Sequence, residues 1–273
     1  MNQRPLKHPV HELFSKLRSV GPYPPGVTAV PHQIQGTSFF PGGTGLWFPE
    51  TRRIPELPVG GVMVLGHDFH SVAGYEWSRK NEAENLQSPT WRHLLPLLCR
   101  TSIPRERCFF TNVYMGLRTG KATTGPFPGA ASPEFVKRCQ KFFLVQIAAQ
   151  QPSLILALGG HVPLFLAPLS AQLAPWAACK GFRERDSGNV ALVSGVTFSA
   201  SKVRPCVVVS LVHPSFRPSN VHRRSWCTLT GDAAEIALLK EAVQLAGVAC
   251  TDLTLQSSGH PTAGHTGSLR QGR

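Results

Sequence analysis

The sequence has little that would build a metal cluster, a disulfide framework or a membrane anchor. Its seven cysteines form no Cys-x-x-Cys pair and no tight cluster, which disfavours a zinc ribbon, an iron–sulfur cluster and, because the number is odd, a disulfide framework. No segment approaches the roughly 18–20 consecutive apolar residues that cross a bilayer, and the N-terminal stretch lacks the apolar run of a signal peptide. We therefore expect a cytoplasmic protein with no cofactor, no metal and no membrane partner.

Acidic residues are also scarce. The chain of 273 residues has 15 Asp and Glu against 28 Lys and Arg, a formal net charge of +13. Clustered Lys and Arg can replace the counterions along a phosphate backbone, so this excess favours a nucleic-acid partner over a contribution to solubility alone. The 42% hydrophobic content with 16% charged residues is typical of a folded protein, which we expect to be monomeric.

Short apolar segments alternate with amphipathic ones along the chain. Four apolar runs are predicted to be strands: 60–66, 108–115, 153–160 and 205–212. Helices are predicted at 9–19, 88–99, 132–150 and 230–247, with a short one after residue 160. Because the strands are continuously apolar and alternate with helices, we expect an α/β fold: a three-layer α/β/α sandwich with a central four-stranded, mostly parallel sheet.

Three segments of different character follow from this assignment. Residues 1–58 hold the first helix and a Pro/Gly-rich loop that packs on the domain, 59–247 form the α/β domain, and 248–273 are predicted to be a disordered tail. The loop carries four aromatic residues, Phe39, Phe40, Trp47 and Phe48. These either wall a pocket or pack as ordinary surface residues, and the sequence does not decide between the two.

Polar residues follow each predicted strand. Asp68 comes after the first strand, Asn112 lies at the end of the second, His161 follows the third and His213 follows the fourth. In a parallel sheet the functional residues lie at the carboxyl edge, where these strand ends meet. Each residue alone has an ordinary structural explanation as a turn, cap or bridge residue, but their convergence on one edge favours a site.

The order of these motifs resembles the uracil-DNA glycosylase superfamily. The matching segments are "LGHD" (65–68), "FFTN" (109–112), "LILALGGHVPLFL" (154–166) and "VHPSFRPSNVHRR" (212–224), and the resemblance covers about residues 60–245. It implies a uracil-DNA glycosylase-like fold and a monofunctional DNA glycosylase, which flips a base out of DNA and hydrolyses its N-glycosidic bond to leave an abasic site.

The resemblance also implies roles for individual residues. Asp68 matches the carboxylate that positions the attacking water and stabilises the cationic sugar, and His213 matches the histidine that donates a hydrogen bond to the departing base. Asn112 matches the residue that binds the flipped base through its amide. Five further residues of the first motif are expected around the base: Gly66, His67, Phe69, His70 and Tyr75.

The segment after His213 matches the loop that inserts into the duplex while the base leaves. The residues expected to contact DNA are Ser215, Phe216, Arg217, Ser219, Arg223 and Arg224. The three arginines would neutralise phosphates, and Phe216 would fill the vacated stack.

Two departures from the family pattern bear on the substrate. The best-known members read Gly-Gln-Asp-Pro-Tyr-His in the first motif, where the tyrosine blocks bases with a 5-substituent. This chain has Phe69 in place of the proline and His70 in place of the tyrosine. We therefore expect a modified pyrimidine as the target, with a hypermodified phage cytosine, excised in antiphage defence, as the specific candidate.

Three alternatives stay open. Ordinary uracil excision in DNA repair is the nearest one. A non-catalytic DNA-binding module would keep the basic loop without turnover, although binding alone does not call for an acid such as Asp68 near phosphates. A metal site formed by His67, His70, His161 and His213 is not supported by any standard ligand spacing.

Overall fold

A computed structural model describes residues 9–47, 55–120, 122–199 and 203–248 of the chain. The expected tail at 248–273 therefore lies outside the described residues apart from Val248, which is buried. Phe48 of the aromatic loop is also outside them. Within the described ranges, no helix is long and apolar enough to cross a membrane.

Nine strands and eight α-helices are formed by the described residues. The strands are β1 Val27–Thr28, β2 Val62–Asp68, β3 Cys108–Tyr114, β4 Leu117–Arg118, β5 Leu154–Leu158, β6 Leu192–Val196, β7 Cys206–Leu211, β8 Ser225–Trp226 and β9 Leu229–Thr230. The α-helices are α1 Val10–Lys16, α2 Val72–Asn81, α3 Pro89–Arg100, α4 Pro133–Gln150, α5 His161–Leu166, α6 Phe182–Ser187, α7 Arg217–Asn220 and α8 Gly231–Leu245. Short 3₁₀ turns join them, including Pro214–Phe216 and Val221–Arg223.

The central sheet has five strands in the order β3-β2-β5-β7-β6. The first four are mutually parallel and correspond to the four predicted strands, whereas β6 pairs antiparallel with β7 at the edge. The predicted four-stranded sheet is therefore wrong by one strand. Strand β6 reads Leu-Val-Ser-Gly-Val, is partly exposed and is interrupted by a register shift between Val193 and Val196, so it lacks the apolar run of a buried strand.

A hydrophobic core lies on each face of the sheet. Met63 and Leu65 of β2 point into the core that α1, α4 and α5 complete. Val62 and Val64, on the opposite face of the same strand, point into the core formed with α3 and α8. Because a central sheet is covered by helices on both faces, the fold is α/β and compatible with a three-layer sandwich.

The helix boundaries follow the sequence signals at several points. Helix α3 begins after Ser88, whose hydroxyl accepts a hydrogen bond from the Trp91 amide, with Pro89 in its first turn. Helix α2 was not predicted, because Tyr75 is its only buried residue and it therefore shows no amphipathic period. Strand β2 runs two residues beyond its predicted end, which makes Asp68 the last residue of the strand.

Candidate active site

The carboxyl ends of β2, β3, β5 and β7 meet at one edge of the sheet. Gly66 of β2 lies beside Asn112 of β3 in the pairing register. The ring of His67 stacks on His161, the first residue of α5, with 4.6 Å between the ring centroids. His213, which follows β7, is close enough for the charges of His67 and Asp68 to shift its pKa. The structure thus brings the predicted strand-end residues together.

Asp68 is held as an ionised carboxylate. Its Oδ1 accepts a hydrogen bond from Nε of Arg118 at 3.1 Å, and its Oδ2 accepts one from Nη2 at 2.8 Å. Burial alone would raise the pKa of Asp68, but the hydrogen bonds and positive charges of His67 and Arg118 outweigh it and lower the pKa to about 2. The carboxylate is therefore negative throughout the physiological pH range.

Arg118 is a site residue that the sequence analysis missed. It ends the two-residue strand β4, and its buried guanidinium also donates to the carbonyl groups of Thr124, Gly125 and Pro126. The contact with Asp68 joins residues fifty positions apart, so no local sequence pattern predicts it. The available signal was an arginine that closely follows the apolar strand β3, at the edge where Asp68 was expected.

His67 lies in direct contact with Asp68. Its Nδ1 is 2.8 Å from Oδ2 of the carboxylate. One face of the ring stacks on His161, and Tyr114 meets the ring edge-on with centroids 5.2 Å apart. The side chain is 13% exposed, so the packed ring still reaches solvent.

His213 is neutral and has a defined tautomer. Burial, followed by the charge of His67, lowers the pKa of His213 to about 4. Nδ1 of the ring accepts a hydrogen bond from the Ser215 amide at 3.2 Å, which places the ring proton on Nε2. A neutral His213 therefore presents a hydrogen-bond donor.

Gly159 makes room for this histidine. It has a φ of +88°, and a Cβ at this position would lie 3.1 Å from Cβ of His213. Both the backbone conformation and the close approach favour glycine at the end of β5.

Asn112 is buried and ties the N-terminal loop to the sheet. Its Nδ2 donates a hydrogen bond to the Phe40 carbonyl at 2.9 Å. Its Oδ1 lies against Gly66, where a Cβ would come within 2.5 Å. One amide N–H of Asn112 is therefore committed to the protein itself, and this close packing favours glycine at position 66.

Of the remaining residues of the first motif, Phe69 packs against the protein and His70 lies at the surface. Phe69 packs against Gly42 of the N-terminal loop. His70 is exposed and folds back onto α2, where its Nδ1 accepts from the Ser71 amide at 2.8 Å and its ring covers Gly74.

Tyr75 does not occupy the position expected of it. Its ring is buried in the core, and its hydroxyl donates to the His32 carbonyl at 3.1 Å. Because its polar atom is satisfied within the protein, the structure gives Tyr75 a packing role, and its expected contact with the base is corrected accordingly.

Two of the three arginines expected on phosphates are buried ion-pair partners. Arg217 pairs with Asp232 and Glu235, and Arg224 pairs with Asp186 and Glu235. The expectation of phosphate contacts is therefore wrong for Arg217 and Arg224, because their charges are neutralised inside the protein.

The other residues of this segment remain at the surface. Arg223 and Ser219 are exposed, and Phe216 is 47% exposed with its ring centroid 5.9 Å from that of His213. The Ser215 hydroxyl lies 2.7 Å from the hydroxyl of Thr90 in α3. The structure therefore leaves Phe216, Ser219 and Arg223 free to reach a partner.

The aromatic loop is packed against the sheet. Phe40 is fully buried and stacks on Phe142, while Phe39 packs on Trp91 and Phe110. Trp47 joins the same cluster. Two of these residues reach the strand ends: the Phe39 ring lies 3.6 Å from where a Cβ on Gly66 would be, and the Phe40 carbonyl accepts the hydrogen bond from Asn112.

In the part of the chain that the structure describes, no group of three or more His, Cys, Asp or Glu side chains is arranged to hold a metal ion. A comparison with models of known protein families finds no match to this chain, and a search of curated proteins finds no similar sequence. The function of the site therefore has to be inferred from the geometry of its residues.

Proposed function

We propose that this protein is a monofunctional DNA glycosylase that flips a modified pyrimidine out of DNA and hydrolyses its N-glycosidic bond. The observation that carries the proposal is the presence, at one sheet edge, of both an ionised Asp68 and a neutral His213 that presents an Nε2–H donor. Cleavage of an N-glycosidic bond develops positive charge on the sugar and negative charge on the base. A fixed carboxylate and a fixed donor stabilise these two charges.

The two residues contribute to the transition state in different ways. Asp68 is held by Arg118, so it does not reorganise as the sugar becomes oxocarbenium-like. His213 donates from a neutral ring, which stabilises the departing base without requiring a buried cation. Charge that appears only in the transition state is the most effective target for such preorganised groups.

Exposed residues next to His213 support DNA as the substrate. Phe216 is suited to fill the space of a flipped base, and Arg223 is suited to contact a phosphate. The net charge of +13 favours a polyanion. Asn112 keeps one amide N–H besides the bond to Phe40, and such a donor is suited to contact a base edge.

The position of His70 supports a base with a 5-substituent. It stands where the best-known members of the uracil-DNA glycosylase superfamily have their blocking tyrosine, and here the ring folds back onto α2. A hypermodified phage cytosine is the specific candidate, and its excision would leave abasic sites that stall phage replication. Uracil is the alternative substrate that the same catalytic residues would serve.

The test is base release from a panel of DNAs that contain uracil, plain cytosine, hydroxymethylcytosine or glucosylated hydroxymethylcytosine. Freed bases are identified by mass spectrometry, and abasic sites by alkaline cleavage. We expect release of a modified cytosine. Asp68→Asn and His213→Asn are each expected to slow release by about 10²–10³-fold, the usual effect of losing one transition-state contact.

His213→Asn is chosen because Asn keeps an acceptor for the Ser215 amide while removing the Nε2–H donor. His11→Asn, an exposed position on α1, is the matched control and is expected to keep the wild-type rate. Release of uracil alone would make the protein a repair enzyme. Tight DNA binding without release of any base would instead support a binding module and contradict the proposal.

A further inference from the structure

Both oxygens of the Asp68 carboxylate already contact donor groups of the protein, which disfavours Asp68 as the general base. Its Oδ1 accepts from Arg118 at 3.1 Å, and its Oδ2 is shared between Arg118 at 2.8 Å and His67 at 2.8 Å. Both oxygens therefore already face positive or donor groups. A carboxylate whose pKa is lowered to about 2 also has little affinity for the proton of a water molecule.

We propose that His67 is the general base that deprotonates the attacking water, and that Asp68 orients His67 and stabilises its protonated form. This proposal rests on the proposed glycosylase function and assigns a catalytic residue within it. The resemblance to glycosylases implies instead that Asp68 positions the water itself. The two assignments therefore predict different effects of replacing His67.

The tautomer of His67 follows from its contact with Asp68. A ring nitrogen and a carboxylate oxygen 2.8 Å apart attract each other only if the nitrogen carries a proton. In the neutral ring this leaves a lone pair on Nε2. Among the described residues, no side chain or backbone group forms a hydrogen bond with that Nε2, so the lone pair is available to a water molecule.

The ring is also held in place, as a general base must be. His161 covers one face at 4.6 Å with an angle of 26° between the rings, and Tyr114 meets it nearly perpendicularly. Only 13% of the side chain is exposed. The packing therefore fixes the orientation of the His67 ring, and a small part of the ring remains accessible to solvent.

The proposed step conserves atoms and charge. The C1′–N bond breaks with its electron pair going to the base, whose negative charge the Nε2–H of His213 stabilises. Water attacks the cationic C1′ and forms the new C–O bond while one of its protons moves to Nε2 of His67. The imidazolium is stabilised by Asp68 and then returns the proton, through solvent, to the released base, so that free base and an abasic sugar are the products.

Six charged or titratable groups lie around the contact between His67 and Asp68. They are Asp68 itself, His70 after β2, Tyr114 on β3, Arg118 on β4, His161 on α5 and His213 after β7. Asp68 and His213, with pKa values of about 2 and about 4, do not titrate above about pH 5. A loss of rate above about pH 5 therefore does not come from Asp68 or His213.

The test is His67→Gln, measured as single-turnover base release from the substrate identified on the DNA panel. Glutamine is the residue that the best-known glycosylases have at this position, and it can donate to Asp68 but cannot take up a proton. We expect the rate to fall by about 10²–10³-fold with DNA affinity unchanged, within the range of general base catalysis.

Two further variants separate the loss of the general base from a loss of folded protein. His67→Asn preserves a donor near the position of Nδ1, and His67→Gly opens space in which added imidazole is expected to restore part of the rate. His11→Gln is the control for loss of an exposed histidine. A His67→Gln variant with the wild-type rate would overturn this proposal and leave the glycosylase function standing. If the wild-type protein frees no base, both proposals are wrong.

Discussion

Replacing His213 by asparagine is expected to make the protein less sensitive to acid. In the folded protein the pKa of His213 is lowered from 6.5 to about 4, mainly by burial. The unfolded chain therefore binds a proton at this residue at pH values where the folded protein does not. Stability from this residue is complete above about pH 6.5 and is lost progressively as the pH falls toward 4.

The size of the effect follows from these two pKa values. Linkage gives a loss of about 2 kcal/mol in the free energy of unfolding between pH 8 and pH 5 for a fully protected ring. Because His213 is only partly buried by surface area, screening by solvent reduces the expected loss to about 1–2 kcal/mol. Asparagine does not titrate, and it keeps an acceptor for the Ser215 amide.

The assay is urea unfolding of the wild type and of His213→Asn at a series of pH values between about 5 and about 8. The two curves of unfolding free energy against pH are expected to converge toward the acid end. Asp68, with a pKa of about 2, stays ionised throughout this range. Parallel curves would refute the neutral, buried His213 on which the proposed donor depends. His11→Asn, with its side chain exposed, is expected to run parallel to the wild type.

The remaining predictions concern the segment after His213. Arg223→Gln is expected to weaken DNA binding and lower the salt dependence of log Kd by about 1 without changing stability; an unchanged salt slope would remove Arg223 from the interface. Arg224→Gln removes the ion-pair partner of the buried Asp186, and is expected to cost about 3–5 kcal/mol in urea unfolding; a loss below about 1 kcal/mol would contradict the buried ion pair. Phe216→Ala is expected to slow base release from duplex more than from single-stranded DNA, because only the duplex has a stack to open; equal losses on both would exclude a wedge.

The parallel part of the fold could be predicted because buried parallel strands are continuously apolar. Strands β2, β3, β5 and β7 have this character and were found within one or two residues of their ends. Strand β6 escaped prediction because an antiparallel edge strand with an exposed Ser194 and Gly195 carries no such signal. Its place in the sheet is decided by pairing with β7, a contact that the local sequence does not encode.

Only the site residues that directly follow apolar strands could be predicted from the sequence. Asp68 and His213 follow apolar runs, so their common edge can be inferred from the chain. The contact between Asp68 and Arg118 depends instead on where strand β4, fifty residues further along the chain, lies relative to β2. The contact between His67 and Asp68 also depends on the backbone at the end of β2, which the sequence pattern does not define.

The arginines after His213 illustrate how a basic run can be misread. Glu235 of α8 accepts a hydrogen bond from the Val212 amide at 3.2 Å, one residue before His213, and also pairs with Arg217. Arg224 pairs with the same carboxylate and donates to the Ser210 carbonyl at 2.9 Å. A buried ion-pair network therefore fixes the backbone on both sides of the histidine. Two of the arginines serve to position His213, and under the proposed function the contact with DNA is left to the exposed Phe216, Ser219 and Arg223.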